Sequence, residues 1–464
     1  MGIRIDNKSH GKETEGIRTL LGDPKKAIIK LSIPMVVAMS VQTIYNLVDA
    51  IWVSGLGADA LAAIGFVFPF YFMAMGISTG LGVGGGSAIS RRIGTGDKTG
   101  VDNVAVHTIV LMLILAVLFS IPLVLLAEDI FVLMGSGRTI GMAVDYAEVI
   151  FSGSILVFFT NIANAILRSE GDAKRAMYAM IFGACLNIVL DPIFIYTLDM
   201  GIAGAAWATL VSFGLSSLVM LNWLVFKGDT YVSFNFRGFR FDRSIVMDII
   251  RVGLPATVMQ LSMAFTMVIM NLIIVIVDST DGVAVYSTGW RVVTIAILPL
   301  VGISTAVVSV TGAAFGARSF EKINIAHIYA VKTGLLIEAS IAVVTFIFAP
   351  QIAAVFTQAE GAQHIATDLV TFLRIICVFY PGVAFGMLSS SLFQGTGKGV
   401  NALIVTVLRS LVLTTLFTVV FAFILDLGLT GIWWGLVLAN LTGSGVAFLW
   451  ARLYVGRLLQ MPSG

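Results

Sequence analysis

Charge is what this sequence has least of. Only 12% of its 464 residues are Asp, Glu, Lys or Arg, about half the share usual in soluble domains. The net charge of +2 offers no basic face, so no nucleic-acid partner is expected. Two cysteines, Cys185 and Cys377, lie in apolar runs, which excludes a disulfide scaffold. The four histidines (His10, His107, His327, His364) are scattered and give no metal-site spacing. Neither a P-loop nor H-E-x-x-H is present, so nucleotide-driven pumping and zinc hydrolysis lack support. The polar start has no signal-peptide core, and Asp6 stands where a myristoylation motif needs Ser or Thr. Residues 1–22 read as a tail or a short surface helix.

What fills the chain instead is apolar: 58% of it. Runs long enough to cross a bilayer recur throughout, so the expected fold is an all-α polytopic membrane protein of about twelve spans. In the first half they cover roughly 27–52, 60–89, 103–127, 140–167, 175–198 and 201–226. In the second they cover roughly 246–277, 283–314, 324–348, 364–393, 400–425 and 429–453. The breaks alternate in charge. One side holds Arg91, Arg92, Lys98, Arg168, Lys174, Arg175, Lys227, Arg237, Arg240, Arg243, Arg318, Lys322 and Lys398. The other holds Asp59, Glu128, Asp129, Asp199, Asp278, Asp281, Glu360 and Asp426, with Arg138 its one cation. Positive charge stays inside, so both termini and the central link belong in the cytoplasm of a cell-membrane protein.

The two halves repeat. Leu31-Ser-Ile-Pro34 corresponds to Val252-Gly-Leu-Pro255, and Ile93-Gly94 to Phe315-Gly316. Leu198-Asp-Met-Gly-Ile-Ala-Gly204 corresponds to Leu425-Asp-Leu-Gly-Leu-Thr-Gly431, with Trp207 matching Trp434. Paired positions are separated by 221 residues (Pro34 to Pro255) rising to 227 (Gly204 to Gly431). The expected architecture is two lobes, 23–226 and 246–456, joined by a link at 227–245 and followed by a tail at 457–464. An even number of spans per lobe relates them by an axis along the membrane normal. No contact with a second copy is implied, and a monomer amid membrane lipid is expected.

Acids inside such spans are costly, about 2.5–3.5 kcal/mol each at a helix centre on insertion scales. Gln42, Tyr45, Asn46 and Asp49 fall at i, i+3, i+4 and i+7 and so share one polar stripe. Asn187 and Asp191 share another. The repeat pairs Asp49 with Met270 and Asp191 with Thr418. Residues needed only for packing would recur in both halves, and these acids do not. The plain alternative is a helix-end acid touching water, or a polar packing contact. Asn161 and Asn164 either line the same cavity or hydrogen-bond between helices, and Tyr146 and Thr209 join the pocket as weaker candidates. Arg291, Lys332, Glu338, Arg374 and Arg409, in second-half spans, read as snorkelling or interhelical groups without an assigned role. Gly80-Leu-Gly82-Val-Gly-Gly85 matches a dinucleotide fingerprint, but inside a span it reads as close helix packing.

Pro34…Gln42…Tyr45-Asn46…Asp49, the Gly171-Asp172 turn, Leu190-Asp191-Pro192 and the Leu-Asp-x-Gly-x-x-Gly repeat together resemble MATE (multidrug and toxic compound extrusion) transporters. The resemblance runs from about residue 22 to residue 456 and is nearest to the DinF-like branch as seen in archaea. It implies H⁺- or Na⁺-coupled efflux of amphipathic, often cationic, organic compounds, with no other cofactor and no enzymatic step. By the same resemblance Asp49, Asn187, Asp191 and Thr209 form the cation site. Gln42, Tyr45, Asn46, Tyr146, Asn161 and Asn164 would then line the substrate cavity, and Pro34 would mark a bend in the first span. The NorM-like branch carries acids in spans seven and ten. Here span seven has Gln260 and Asn271 and span ten has no acid from Phe372 to Leu392, so a second-lobe sodium site of that kind does not carry over. The alternative within transport is a lipid-linked oligosaccharide flippase, against which the acidic and neutral first-half candidates count. A membrane enzyme would need a nucleophile–base set or metal ligands, and a receptor would need a longer output segment. The sequence has neither.

Overall fold

A computed structural model describes residues 14–234, 239–358 and 363–461. His10 and the myristoylation stretch, Arg237, Glu360 and the last three residues lie outside the described residues. The described first half contains α1 (Glu15–Leu21), α2 (Pro24–Ser54), α3 (Ala58–Gly94), α4 (Lys98–Leu125), α5 (Ala127–Leu133), α6 (Ile140–Ser152), α7 (Ser154–Ser169), α8 (Ala173–Pro192) and α9 (Gly201–Leu221). The second contains α10 (Arg243–Val277), α11 (Thr280–Ala296), α12 (Leu298–Gly316), α13 (Phe320–Ile347), α14 (Ala349–Phe356), α15 (Ala366–Ile376), α16 (Tyr380–Gly395), α17 (Gly399–Val407), α18 (Thr414–Val419) and α19 (Gly428–Leu459). No strand occurs among the described residues.

Eleven of these segments are long and apolar enough to span a membrane. The twelfth span is the pair Gly137–Ser152 and Ser154–Ser169, bent by 46°. The bend falls at Gly153, which Leu210 of α9 approaches so closely that a side chain there would collide with it. Span ten breaks at the equivalent place, through a 3₁₀ turn at Cys377–Phe379 and Pro381. The protein is therefore an all-α, twelve-span, multi-pass membrane protein, and the repeat reaches down to its irregularities.

The Leu-Asp-x-Gly-x-x-Gly motif shows why the halves share residues. Each copy follows a π turn, Ile193–Thr197 or Val420–Ile424. Asp199 and Asp426 both have φ 52°, and Gly201 and Gly428 have φ 55° and 56°. A left-handed conformation is uncommon for Asp and easy for Gly. A Cβ at Gly204 would lie 2.6 Å from Phe194 O, and one at Gly431 would lie 2.6 Å from Phe421 O. These residues build the same outer turn twice.

The chain forms two compact units, and the boundaries fall inside helices rather than at the link. One unit holds Val37–Thr257 with the chain up to Gly22; the other holds Asp23–Val36 with Val258 onward. The first turns of α2 thus pack with second-half helices, and the first turns of α10 with first-half helices. Glycine makes both exchanges possible. A Cβ at Gly80 of α3 would lie 2.8 Å from Gly253 O, and one at Gly84 would lie 2.8 Å from Gly253 N. In the second unit, a Cβ at Gly302 of α12 would lie 3.2 Å from Ser32 O. The glycine run of α3 is thus a packing surface.

The N-terminal segment also packs. Ile17 and Leu20 of α1 are buried, and Gly16 rests on the Glu170–Gly171 backbone. That turn is a hub of the positive-side face. Glu170 is 2% exposed and accepts from Val232 N at 2.8 Å, tying the link to the turn. Asp172 caps α8 by accepting from Arg175 N at 3.1 Å, and Arg175 pairs with Asp229 at 2.6 Å. Burial pushes the Glu170 carboxyl up to about 8, against the opposing pull of the Val232 N–H. The folded chain then keeps a proton that the unfolded chain has released, so stability falls as pH rises from the ordinary carboxylate range through about 8. Glu170→Gln should flatten this part of the pH profile of thermal unfolding between pH 5 and 9. An unchanged profile would remove Glu170 as its source.

Candidate functional site

Asp49 sits near the end of α2, and Asp191 sits at the end of α8, just before Pro192 and the π turn Ile193–Thr197. The two carboxyl groups lie within hydrogen-bonding reach of one another. Two ionised carboxylates have acceptors only, so this contact has room for one shared proton, or for a small hard cation between the oxygens. Asp191 is fully buried and Asn187 nearly so. With its amide turned to donate, Asn187 reaches Asp191 Oδ2 at 2.8 Å, while its oxygen accepts from Thr209 N at 3.2 Å and faces the Thr209 hydroxyl at 3.4 Å. Helices α2, α8 and α9 therefore deliver Asp49, Asp191, Asn187 and Thr209 to one point. The set offers two carboxyl groups, an amide oxygen and a hydroxyl, all hard donors that suit H⁺ or Na⁺. No group of three His, Cys, Asp or Glu able to hold a metal occurs among the described residues.

Three tyrosines surround the pair. Tyr45 of α2 and Tyr146 of α6 lie within electrostatic reach of both acids, and Tyr71 of α3 lies within reach of Asp49, Tyr45 and Tyr146. Sequence reasoning missed Tyr71. It sits in Phe68-Pro-Phe-Tyr-Phe72, where three phenylalanines of similar shape hide the one hydroxyl. Past the pair, Val53, Ile195 and Ala205 form a small core with Trp52, Leu56, Ile64 and Tyr146. Tyr196 donates to Trp52 O at 2.5 Å and its ring meets Trp52 edge-on at 6.3 Å. This apolar plug pins the end of α2 to the end of α8 beside the acids.

The remaining candidates are placed differently. Gln42 is half-buried and its Nε2 lies 3.5 Å from Oδ1 of the exposed Asn46, on the stripe that carries Asp49. Asn161 donates to Val157 O at 3.0 Å within its own helix and approaches Met75 Sδ at 3.4 Å. Asn164 donates to Ala176 O at 3.0 Å, joining α7 to α8. Of the two readings open for Asn164, the interhelical bond is the one present. Pro34 lies in the part of α2 that belongs to the other unit, 15 residues before Asp49, about 22 Å along the axis. Its missing N–H leaves α2 one hydrogen bond short there.

The counterparts of the acids are structural. Met270 is fully buried, and Thr418 is buried with its hydroxyl donating to Thr414 O at 2.7 Å. Among the second-half charges, Arg291 and Lys332 are exposed, and Arg374 lies over the Phe346 ring at 5.5 Å. Glu338 and Arg409 are buried. Three histidines have partners: His107 with Asn103 O and Asp242 N, His327 with Ser389, His364 with Asp281.

Known proteins of this shape are numerous. The MatE family profile matches residues 34–193 and 255–420. The multidrug export protein MepA of Staphylococcus saprophyticus is 27% identical over 435 residues, covering 93% of this chain and 94% of that protein. A MATE transporter crystallised in complex with MaL6 is 47% identical with a TM-score of 0.94, covering 97% of this chain and all of the other. A MOP-superfamily transporter from Pyrococcus furiosus, described as having a binding pocket of reversed polarity, is 47% identical with a TM-score of 0.93, covering 97% of this chain and 99% of that one.

Because Asp49 and Asp191 share one contact, replacing both should cost less stability than the two single losses added together. The expected shortfall between Asp49→Asn/Asp191→Asn and the sum of the single variants is about 0.5–3 kcal/mol in detergent unfolding. Additive losses would contradict the contact.

Proposed function

We propose that this chain, which belongs to the MATE family of multidrug efflux transporters, works as a secondary antiporter in which H⁺ or Na⁺ and an organic cation compete for the Asp49–Asp191 pair. The observation that carries this reading is the asymmetry. A fold repeated in its outer turns, glycine contacts and helix breaks holds a carboxyl pair in one half only. Asn187 and Thr209 orient Asp191, and the buried Tyr45 with the half-buried Tyr71 and Tyr146 forms the aromatic wall beside it.

The chemistry of exchange follows from charge. Unloaded, the pair presents negative charge to a cationic, amphipathic substrate. Loaded with one H⁺ or Na⁺ per carboxyl group, it is neutralised and the attraction is lost. A ligand shifts an equilibrium only through its differential affinity. Driving a site from mostly filled to mostly empty takes about 5.5 kcal/mol. One carboxylate about 5 Å from a positive substrate, at an effective dielectric of about 20, contributes about 3 kcal/mol. One acid therefore falls short and two suffice, which favours the pair over a lone Asp49 as the coupling unit. The lobes then expose the cavity to each side in turn, as repeat-built transporters do, and the missing hydrogen bond at Pro34 lets α2 change its bend as the pair loads.

The positive-inside pattern supports a cell-membrane location with both termini cytoplasmic. The chain acts as a monomer in contact with lipid, binds no nucleic acid and makes or breaks no bond in its substrate. The name of the similar MepA protein supports small organic compounds as the exported class. The test is ethidium efflux from vesicles under an imposed pH gradient and, separately, a sodium gradient, with Asp49→Asn alongside. Efflux should follow one gradient and disappear in the variant. Coupled efflux that survives Asp49→Asn in normally inserted protein would sink the proposal.

A further inference from the structure

The second unit holds a buried cation that pairs with nothing among the described residues. Arg409 is 8% exposed, and its Nη1 is buried with no hydrogen-bond partner. Among the described residues its side chain makes no hydrogen bond or ion pair. A guanidinium stays charged in any protein environment, so it cannot escape burial by losing its proton as a carboxylic acid can by gaining one. It is the eleventh residue of the span Gly399–Ile424, about 15 Å in. That is half of a hydrocarbon core about 30 Å thick, the depth at which repeat-built transporters hold their ligands.

The surroundings of Arg409 are shaped around it. A Cβ at Gly443 would lie 2.6 Å from Arg409 Cβ, so that glycine admits the stem. A Cβ at Gly386 would lie 2.9 Å from Arg409 Nη1 and 2.6 Å from Ser444 Oγ. Ser444 Oγ is itself buried and without a partner. Two orphaned donors therefore converge on a bare glycine. Arg409 also rides on a π segment, Leu408–Leu413, where Thr414 Oγ1 donates to Arg409 O at 3.0 Å.

The repeat shows what a merely structural version of this place looks like. The turn glycines Gly171 and Gly397, both left-handed, set the spacing of spans four and ten at 226 residues. Gly386 then corresponds to Thr160. Ser444 corresponds to Ser217 at the 227-residue spacing of spans six and twelve. In the first half Thr160 and Ser217 are hydrogen-bonded to each other at 2.9 Å. In the second half the threonine has become glycine, the serine has lost its partner, and an arginine fills the gap. Its own counterpart is Phe182 or Gly183, neither of them charged.

We propose that Arg409 and Ser444 form an anion-binding site in the second unit, for a phosphate or carboxylate group. Arginine presents a planar fork that matches either group, and a serine hydroxyl adds a third donor. This goes beyond the antiport reading and stands whether or not the carboxyl pair couples transport. The anion is either free or the head of an amphiphile, and two probes separate these sources.

The experiment measures binding of inorganic phosphate and of dodecyl phosphate to the full chain in the neutral detergent dodecyl maltoside, by calorimetry. Wild type, Arg409→Gln, Arg409→Lys, Ser444→Ala and Asp49→Asn are compared. Saturable binding should weaken about tenfold or more in Arg409→Gln, less in Arg409→Lys and Ser444→Ala, and not in Asp49→Asn. Binding of both probes identifies the free anion as sufficient, and binding of dodecyl phosphate alone identifies an amphiphile head. The lysine and alanine variants keep the test open should Arg409→Gln fail to fold. Binding of neither probe by wild type, or binding that Arg409→Lys and Ser444→Ala both leave unchanged, overturns the proposal.

Discussion

A carboxyl group inside a membrane must find a donor, a cation or a proton, and the first half of this protein is arranged around that requirement. Asp191 is fully buried and is met by Asn187 and by Asp49. Each partner comes from a position that its own helix fixes: Asn187 one turn back on α8, Asp49 from α2, and Thr209 from α9 behind the amide. Neither acid is satisfied by the other when both are ionised. The site is therefore complete only with something positive in it, and the proposed exchange of cations rests on that incompleteness.

The repeat separates scaffold from task. Shared features include the left-handed Asp and Gly of the outer turns, the helix breaks in spans four and ten, and the glycines that let α2 and α10 change units. These are backbone devices, and both halves need them to build the same bundle. The unshared features are polar side chains at depth: Asp49 and Asp191 on one side of the repeat, Glu338 and Arg409 on the other. A buried charge is too costly to be kept by packing alone. The two units have thus placed different polar side chains on the same scaffold.

Much of this was legible in the sequence because membranes impose strong rules. Span positions follow from apolar length, and sidedness from Lys and Arg. The Gln42–Asp49 stripe follows from a helical period, and the repeat from Pro34, Gly204 and their partners. The meeting of Asp49 with Asp191 was a supposition from polarity plus family likeness, since periodicity says which face a residue occupies and not which helix it faces. Tyr71 stayed hidden because an aromatic run looks the same whether it packs or lines a pocket. The exchange of α2 and α10 between units, the packing of α1 on the Glu170 turn, and the lone Arg409 depend on contacts between residues far apart in the chain. No local pattern carries those.

The central claim is that cation and substrate meet at one carboxyl pair, and proton counting tests it most directly. Purified protein in weakly buffered, sodium-free detergent solution is titrated with ethidium while a pH indicator dye follows released protons. A parallel titration in saturating sodium reports whether that ion has replaced the proton. The account predicts that ethidium expels protons, or bound sodium, from wild type and expels neither from Asp49→Asn/Asp191→Asn. Ethidium binding that displaces no cation, or equal displacement from the double variant, would contradict it.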